Sequence, residues 1–482
     1  MDMKIRVLVC LFLAAGCASH YHERTAAGDI DRFVETTTRE IPDLPSVGVA
    51  AVIGNRPVYL KNAETAYYIG STTKAYTGLA CAILADRGLL DLDAPTSKYL
   101  PETGIGVPLR AFLTHTSALE NNGIVFRTAY SGEHSPQQLV SLLAQSKPSK
   151  PGFRYDNLGY VVASLIIERI TGKPWQQALD ELVFQPLGMR HTTAYMSVAK
   201  KWPMAKPYQR NRAGDVMQID FEKIDQTMHA AGGIVTTPAD LARWLEANLA
   251  KGKVDGKQVI PIAAFEQAQA MQIPTTIERG DFKGRGYAFG WYHADFHGER
   301  ALFHGGGYQG WHSQFSMLPD KRIGVGVMTN VNGTPDDAAD LIAAYIYDRL
   351  LEKPNVEAEY AKRLADLKAR VARMRAGFIE EVRKRAQRPW TLQHAAEAYV
   401  GRYDNPMYGT VVIEQRGDKL YASLGRLSSI IEAFTEPETG RVELVPGSGE
   451  VLLFKFGTGP NAEAVMWGDD AFTRIASPTT NQ

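Results

Sequence analysis

Tyr68-Ile69-Gly70-Ser71-Thr72-Thr73-Lys74 is the stretch that decides the fold, because it runs directly into the helical apolar pattern Ala75, Leu79, Ala80, Ile83 and Leu84. A serine at the mouth of a helix is ordinarily a cap, its hydroxyl accepting a bond from an orphan backbone N–H two or three residues on. Lys74 argues for more. It follows Ser71 by three residues, so it shares a helical face with it and its amine reaches the serine oxygen. At the positive end of a helix dipole, burial disfavours the ammonium and lowers the lysine pKa. A neutral amine beside a hydroxyl is a proton acceptor beside a weak nucleophile, the arrangement covalent catalysis requires. Ser-x-x-Lys also arises by chance, so the rest of the chain must supply its company.

Upstream, Lys4 and Arg6 precede an almost wholly apolar run at 7–15, which reads as an export signal too short to span a bilayer. Ala14-Ala15-Gly16-Cys17 resembles a lipoprotein cleavage box, with Ala14 where leucine is preferred. Lipidation of Cys17 is the expectation, and a soluble exported form after ordinary signal cleavage is the alternative. The location expected is periplasmic or cell-envelope. Cys10, Cys17 and Cys81 cannot build a disulfide framework. The 482 residues have room for a large catalytic domain and a smaller one. Lysine plus arginine and aspartate plus glutamate are 53 each, so the charge balance draws the chain to neither nucleic acid nor an acidic membrane.

Outward from Ser71, residues 29–40 form a helical pattern, and 47–53 with 58–61 form a hairpin turning at Gly54-Asn55-Arg56. The helix after Ser71 ends near Gly88. Short helices follow at 109–113 and after Ser135-Pro136, then longer ones at 158–170, 174–184 and from Thr237-Pro238 through 249. From Tyr287 the pattern alternates: 287–295, 301–304, 312–318 and 322–329 read as successive antiparallel strands. Thr334-Pro335 starts a closing helix. The order implies an α/β (α+β) fold, an antiparallel sheet built from both chain ends with helices on its faces and a helical lobe inserted. Residues 354–388 are an amphipathic basic linker helix, which packs on a neighbouring domain or lies on a membrane surface. Beyond Tyr399, short alternating segments between Gly, Asn and Asp turns indicate a small antiparallel β-barrel or sandwich.

Two further elements carry chemistry. Tyr155-Asp156-Asn157 lies on a loop before a helix, where Tyr155 is otherwise a packing residue and Asn157 a cap. His304-Gly305-Gly306-Gly307 ends a strand, and its glycines allow a ligand close to backbone amides. A glycine-rich hairpin is the plainer reading. His293, Asp295, His297 and Glu299 alternate along a strand, which sets them on a line rather than around a metal. No metal or other cofactor is expected.

In this order and spacing, the three elements resemble the serine β-lactamase and penicillin-binding superfamily, particularly the class C-like D-aminopeptidase and esterase branch. Supporting matches are Gly88-Leu89-Leu90-Asp91-Leu92-Asp93-Ala94-Pro95, Leu113-Thr114-His115-Thr116-Ser117, Gln185-Pro186-Leu187-Gly188-Met189 and Ala231-Gly232-Gly233-Ile234-Val235-Thr236-Thr237. The resemblance implies a hydrolase domain over 28–352, a helical linker over 353–391 and a lipocalin-like β-domain over 392–482, after a signal segment at 1–17. It implies Ser71 as the acylated nucleophile, and Lys74 and Tyr155 as the proton relay. Asn157, His304, Gly305 and Gly306 would contact substrate, and the amides of Ser71 and Gly307 would form the oxyanion hole.

His304 stands where the family often has the lysine of Lys-Thr-Gly, which implies weaker reliance on a substrate carboxylate. Asp156 replaces a common serine and either faces the cleft or is a solvated acid. The link from the hairpin to Ser71 is shorter than usual in the family. The expected activity is hydrolysis of D-amino-acid peptides, esters or β-lactams through an acyl-enzyme. A β-lactamase proper and a penicillin-binding receptor that does not turn over are the alternatives. Oligomeric state stays open. His-Gly-Gly-Gly also occurs in α/β-hydrolases, but the Gly-x-Ser-x-Gly elbow of that fold is absent from the sequence.

Overall fold

The computed structural model describes residues 25–331, 333 and 336–476. The signal segment with Cys10 and Cys17, and the Thr334-Pro335 helix start, lie outside the described residues. The main sheet comprises β1 (Val47–Ile53), β2 (Arg56–Lys61), β3 (Phe282–Tyr287), β4 (Tyr292–Phe296), β5 (Glu299–Tyr308), β6 (Trp311–Leu318) and β7 (Ile323–Thr329). All pairings are antiparallel, in the spatial order β3-β4-β5-β6-β7-β1-β2. The two-residue strands Ile273–Pro274 and Glu278–Arg279 add to β3. The early hairpin thus joins the late strands, with β1 against β7 from Val47↔Thr329 to Ile53↔Ile323.

Strand β1 reads as a continuous apolar run because both of its faces are covered. The period of two sends Ala50 and Val52 into one core, with Leu241 and Leu245, and Val49 and Ala51 into another, with Ile342 and Ile346. The second core is closed by helices α1 (25–40), α5 (Asp336–Leu350) and α6 (Val356–Ala386). The first is closed by α2 (Thr73–Asp86), α3 (Leu158–Thr171) and α4 (Pro238–Leu249). Helix α2 is buried from Thr73 through Leu84 and so carries no polar stripe.

Residues 287–295 are not one strand. Ala288 N donates to Trp291 O around Gly290 at φ +83, and a turn buried against α2 separates β3 from β4. Its residues are apolar because α2 covers them, not because they extend.

The basic helix α6 buries Val356, Tyr360, Leu364, Leu367 and Val371, with Tyr360 edge-on to Phe33 at 5.8 Å and to Tyr345 at 5.3 Å. Arg363, Lys368, Arg370 and Arg375 pair with Asp281, Glu40, Asp337 and Asp215 of the preceding chain, so this half of the helix packs on its neighbour. Beyond it, nine short antiparallel strands between Gly401 and Ile475 form a sheet whose two edge strands, Leu427–Ile430 and Glu432–Ala433, are joined through Ile431. The sheet is nearly closed into a barrel. It docks on the helical lobe, where Phe126 enters its core and Arg127 donates to Met407 O (2.7 Å) and Pro406 O (3.3 Å).

Candidate active site

Ser71 sits in the 3-10 turn Gly70–Thr72 immediately before α2, and this helix start makes no side-chain cap bond. Gly70 adopts φ +54, and a Cβ on it would lie 2.6 Å from Gly307 N. Both the backbone conformation and the approach of β5 therefore require glycine. The Ser71 hydroxyl is free for Lys74, whose Nζ lies 3.0 Å from Ser71 Oγ.

Lys74 is wholly buried, and its Nζ also donates to Asn157 Oδ1 and Ala231 O, each at 2.8 Å. Burial pulls its pKa down to about 7, against a weaker upward pull from Asp156. Both carbonyl oxygens can only accept. A neutral amine gives them its two protons, and its lone pair is left facing the Ser71 hydroxyl. The ammonium donates to all three.

Tyr155 also reaches Ser71, its phenol bonded to the Ser71 side chain and its ring centroid 4.8 Å from Lys74 Nζ. The residue keeps 39% of its surface exposed at the opening, yet desolvation lifts the phenol above its ordinary value of 10, with the Ser71 bond pulling the other way. Tyr155 is therefore a protonated phenol at neutral pH. Asn157 precedes α3 without capping it, and with its oxygen committed to Lys74 only its amide N–H groups remain for a substrate carbonyl. The cap is Asp156, whose Oδ1 accepts from Gly159 N at 3.2 Å. Asp156 is half-buried and its pKa is raised by desolvation, so it is a capping group rather than a solvated acid.

Strand β5 outruns β4. The last β4 partner is Phe303, opposite Tyr292, and residues beyond it lie against the Ser71 turn. Successive residues face opposite sides. A Cβ on Gly306 would sit 2.9 Å from Ser71 N, so the Ser71 amide packs on that glycine, while one on Gly307 would meet open space. The amides of Ser71 and Gly307 thus lie on the two segments that meet at Gly70. Gly305 faces the other way, against the Arg279 guanidinium, which pairs with Asp340 of α5 at 3.2 Å and donates to His312 Nε2 at 2.7 Å.

His304 is 2% exposed, and its pKa is pushed down to about 3, first by burial and then by Lys74. Its Nδ1 is 2.6 Å from Gly305 O and its Nε2 3.2 Å from the Tyr287 hydroxyl, which is also 3.2 Å from His115 Nε2. The structure therefore brings Ser71, Lys74, Tyr155, Asn157, Gly306 and Gly307 together, while Gly305, expected to contact substrate, faces Arg279 because successive strand residues alternate. It encloses His304 behind them. His115, Tyr287 and the Ala231 carbonyl join the site without a role assigned from sequence, although His115 and Ala231 lie within the supporting motifs.

The strand run His293, Asp295, His297 and Glu299 disperses. The four residues pair respectively with Gln269 O, Arg285, Asp348 and Lys321, and among the described residues no group of three or more His, Cys, Asp or Glu could hold a metal ion.

An antiparallel sheet flanked by helices, with a Ser-x-x-Lys helix buried beneath a helical lobe, defines the class as the β-lactamase and penicillin-binding serine hydrolases. A family model described as Beta-lactamase matches residues 34–349, and the chain belongs to that family. It is 26% identical over 340 residues to the D-alanyl-D-alanine-carboxypeptidase/endopeptidase AmpH of Escherichia coli, covering 62% of this chain and 84% of that protein. It is 24% identical over 438 residues to the Unguisins hydrolase ungD' of Aspergillus campestris, covering 84% of this chain and 80% of that one. Among solved structures, the octameric penicillin-binding protein homologue from Pyrococcus abyssi superposes with a TM-score of 0.59 at 22% identity, over 93% of this chain and 99% of that chain. The D-amino acid amidase from Ochrobactrum anthropi superposes with a TM-score of 0.57 at 18% identity, over 67% of this chain and 99% of that chain. At these identities the two structures speak for the fold alone.

Proposed function

We propose that this chain is a serine hydrolase that cleaves amide or ester bonds of D-amino-acid peptides, esters or β-lactams through an acyl-enzyme. The observation that carries the reading is the buried Lys74 amine, 3.0 Å from Ser71 Oγ with its other two partners restricted to acceptors. Neutral Lys74 takes the Ser71 proton as Oγ attacks the carbonyl carbon. The carbonyl oxygen, now negative, is held by the amides of Ser71 and Gly307. Tyr155, which stays protonated, donates to the departing amine or alkoxide and is reprotonated through Lys74. In the second half-reaction the same groups deprotonate water, and its attack on the acyl carbon releases Ser71. Asn157 positions the substrate amide.

The environment of His304 favours substrates that bring no free carboxylate to β5, which points to aminoacyl amides and esters ahead of free-acid peptides. The hydrolase of residues 28–352 is followed by a helical linker (353–391) and a β-domain (392–482). The chain is exported and anchored through Cys17, a reading supported by Lys4, Arg6 and the apolar run at 7–15. Ser71→Ala should abolish covalent labelling by a fluorophosphonate or penicillin probe while circular dichroism stays unchanged. Labelling that persists would refute the nucleophile. A screen of D- and L-aminoacyl amides, short-chain esters and a chromogenic cephalosporin selects the substrate class, and an acylation burst without steady turnover would identify a receptor instead.

A further inference from the structure

The imidazole of His304 has only one neutral arrangement of protons. Its Nδ1 is 2.6 Å from Gly305 O, and a carbonyl oxygen only accepts, so Nδ1 carries the ring proton. Nε2 is then an acceptor, and the Tyr287 hydroxyl at 3.2 Å donates to it. Having spent its proton, the Tyr287 oxygen accepts from His115 Nε2, also at 3.2 Å. His115 Nδ1 is thereby left to accept from the backbone N–H of Asp156 at 3.3 Å. The two ring protons each have one place, on His304 Nδ1 and His115 Nε2, while the Tyr287 proton has a second acceptor in the Tyr160 hydroxyl, and each ring is enclosed: His115 is 1% exposed, Tyr287 0% and His304 2%.

The ends of this chain of bonds matter more than its middle. One end is the backbone between Tyr155 and Asn157; the other is the strand that leads into Gly306 and Gly307. The groups around the two imidazoles oppose a second proton. Lys74 approaches from α2, Arg279 bears on His304 from strand Glu278–Arg279, and the rings of Tyr155, Tyr160, Tyr287 and Tyr292 fill the remaining space. The nearest carboxylate along the chain, Asp156, is committed to capping α3.

We propose that His115, Tyr287 and His304 form a positioning chain that fixes the Tyr155–Asn157 loop relative to the Gly305–Gly307 strand, with His304 locked neutral and closed to substrate. The inference rests on the hydrolase reading for its catalytic consequence but not for its proton arrangement. The site accordingly takes substrates that are uncharged where they meet β5, and His115 and Tyr287 act through the loop and strand they tie together.

The decisive measurement is the 15N spectrum of histidine side chains in the full chain, assigned by the signals lost in His115→Asn and His304→Asn. The expected result is the Nδ1–H form for His304 and the Nε2–H form for His115, neither titrating between pH 5 and 8. Tyr287→Phe leaves both Nε2 atoms without their partner. It should lower kcat for a D-aminoacyl nitrophenyl ester about 10-fold with KM within 2-fold. Burial, Lys74 and Arg279 all remain in that variant, so His304 should still not titrate between pH 5 and 8, and the loss is read in kcat alone. An ordinary titration of His304 in the wild type, the opposite form at either ring, or an unchanged kcat in a folded Tyr287→Phe would overturn the proposal. If Tyr287→Phe does not fold, the wild-type spectrum still decides. Wild-type histidines as expected in a protein that turns over none of the substrates would sink the hydrolase reading and leave the bonded chain standing.

Discussion

Lys74 shows how much one buried side chain can set. Its lowered pKa places the free amine, the form the proposed mechanism needs, above about pH 7. For an uncharged ester, kcat/KM should therefore climb with pH and level off past a midpoint near 7, because below it the lone pair facing Ser71 is taken by a proton. Lys74→Met should remove this limb and cost roughly 10²–10⁴-fold in rate. The same shift has a stability consequence. Between about 7 and the ordinary 10.5, the unfolded chain holds a proton that the folded one lacks, so stability contributed at this position rises with pH across that window and is flat below it. Chemical denaturation of wild type and Lys74→Met at pH 7 and pH 10 should show the wild type gaining on the variant at the higher pH, by at most about 1.4 kcal/mol per pH unit.

At the scale of elements, the glycines of β5 make a sharp contrast. A Cβ at position 306 would crowd Ser71 N and Ile69 O, whereas one at 307 would meet nothing. Gly306→Ala should displace the Ser71 amide and lose about 10²–10³-fold in kcat, the usual cost of an oxyanion donor. Gly307→Ala should stay within a few-fold, and nitrophenyl ester kinetics on folded proteins would tell them apart. The spacing of Ser71 and Lys74, the alternation of β5 to β7 and the face of α6 were all legible in the sequence because each is a short-range pattern. What escaped it depends on tertiary contact. The Ala288–Trp291 turn is apolar because α2 buries it. The bonding of His304 comes from Tyr287 and His115, the latter 189 positions away, and nothing local in His-Gly-Gly-Gly announces it.

In the whole molecule, the barrel and the helical lobe share one seam. Gly123 lies so close to Met407 that a Cβ would come 2.6 Å from its carbonyl oxygen, and Arg127, 5% exposed, donates to the carbonyls of Pro406, Met407 and, on its own loop, Glu133. Hydrogen bonds from a charged donor contribute about 1.5–3 kcal/mol each. Arg127→Met should therefore split calorimetric unfolding, with a transition for the β-domain at lower temperature and a smaller change in the transition of the hydrolase. A single transition at the wild-type temperature would show that the seam contributes little.

The pairing of β1 with β7 also sets a timetable for synthesis. Ile53 and its partner Ile323 are 270 positions apart, which at 5–20 residues per second is roughly 14–54 s of translation. Throughout that interval the most apolar strand of the sheet has only its hairpin neighbour, and the edge meant for β7 stays open to other nascent chains. Yield of the correctly assembled protein should consequently fall with expression rate and recover at low temperature or with a chaperone that shields such an edge, even though the finished fold buries every residue of that strand but Ile53.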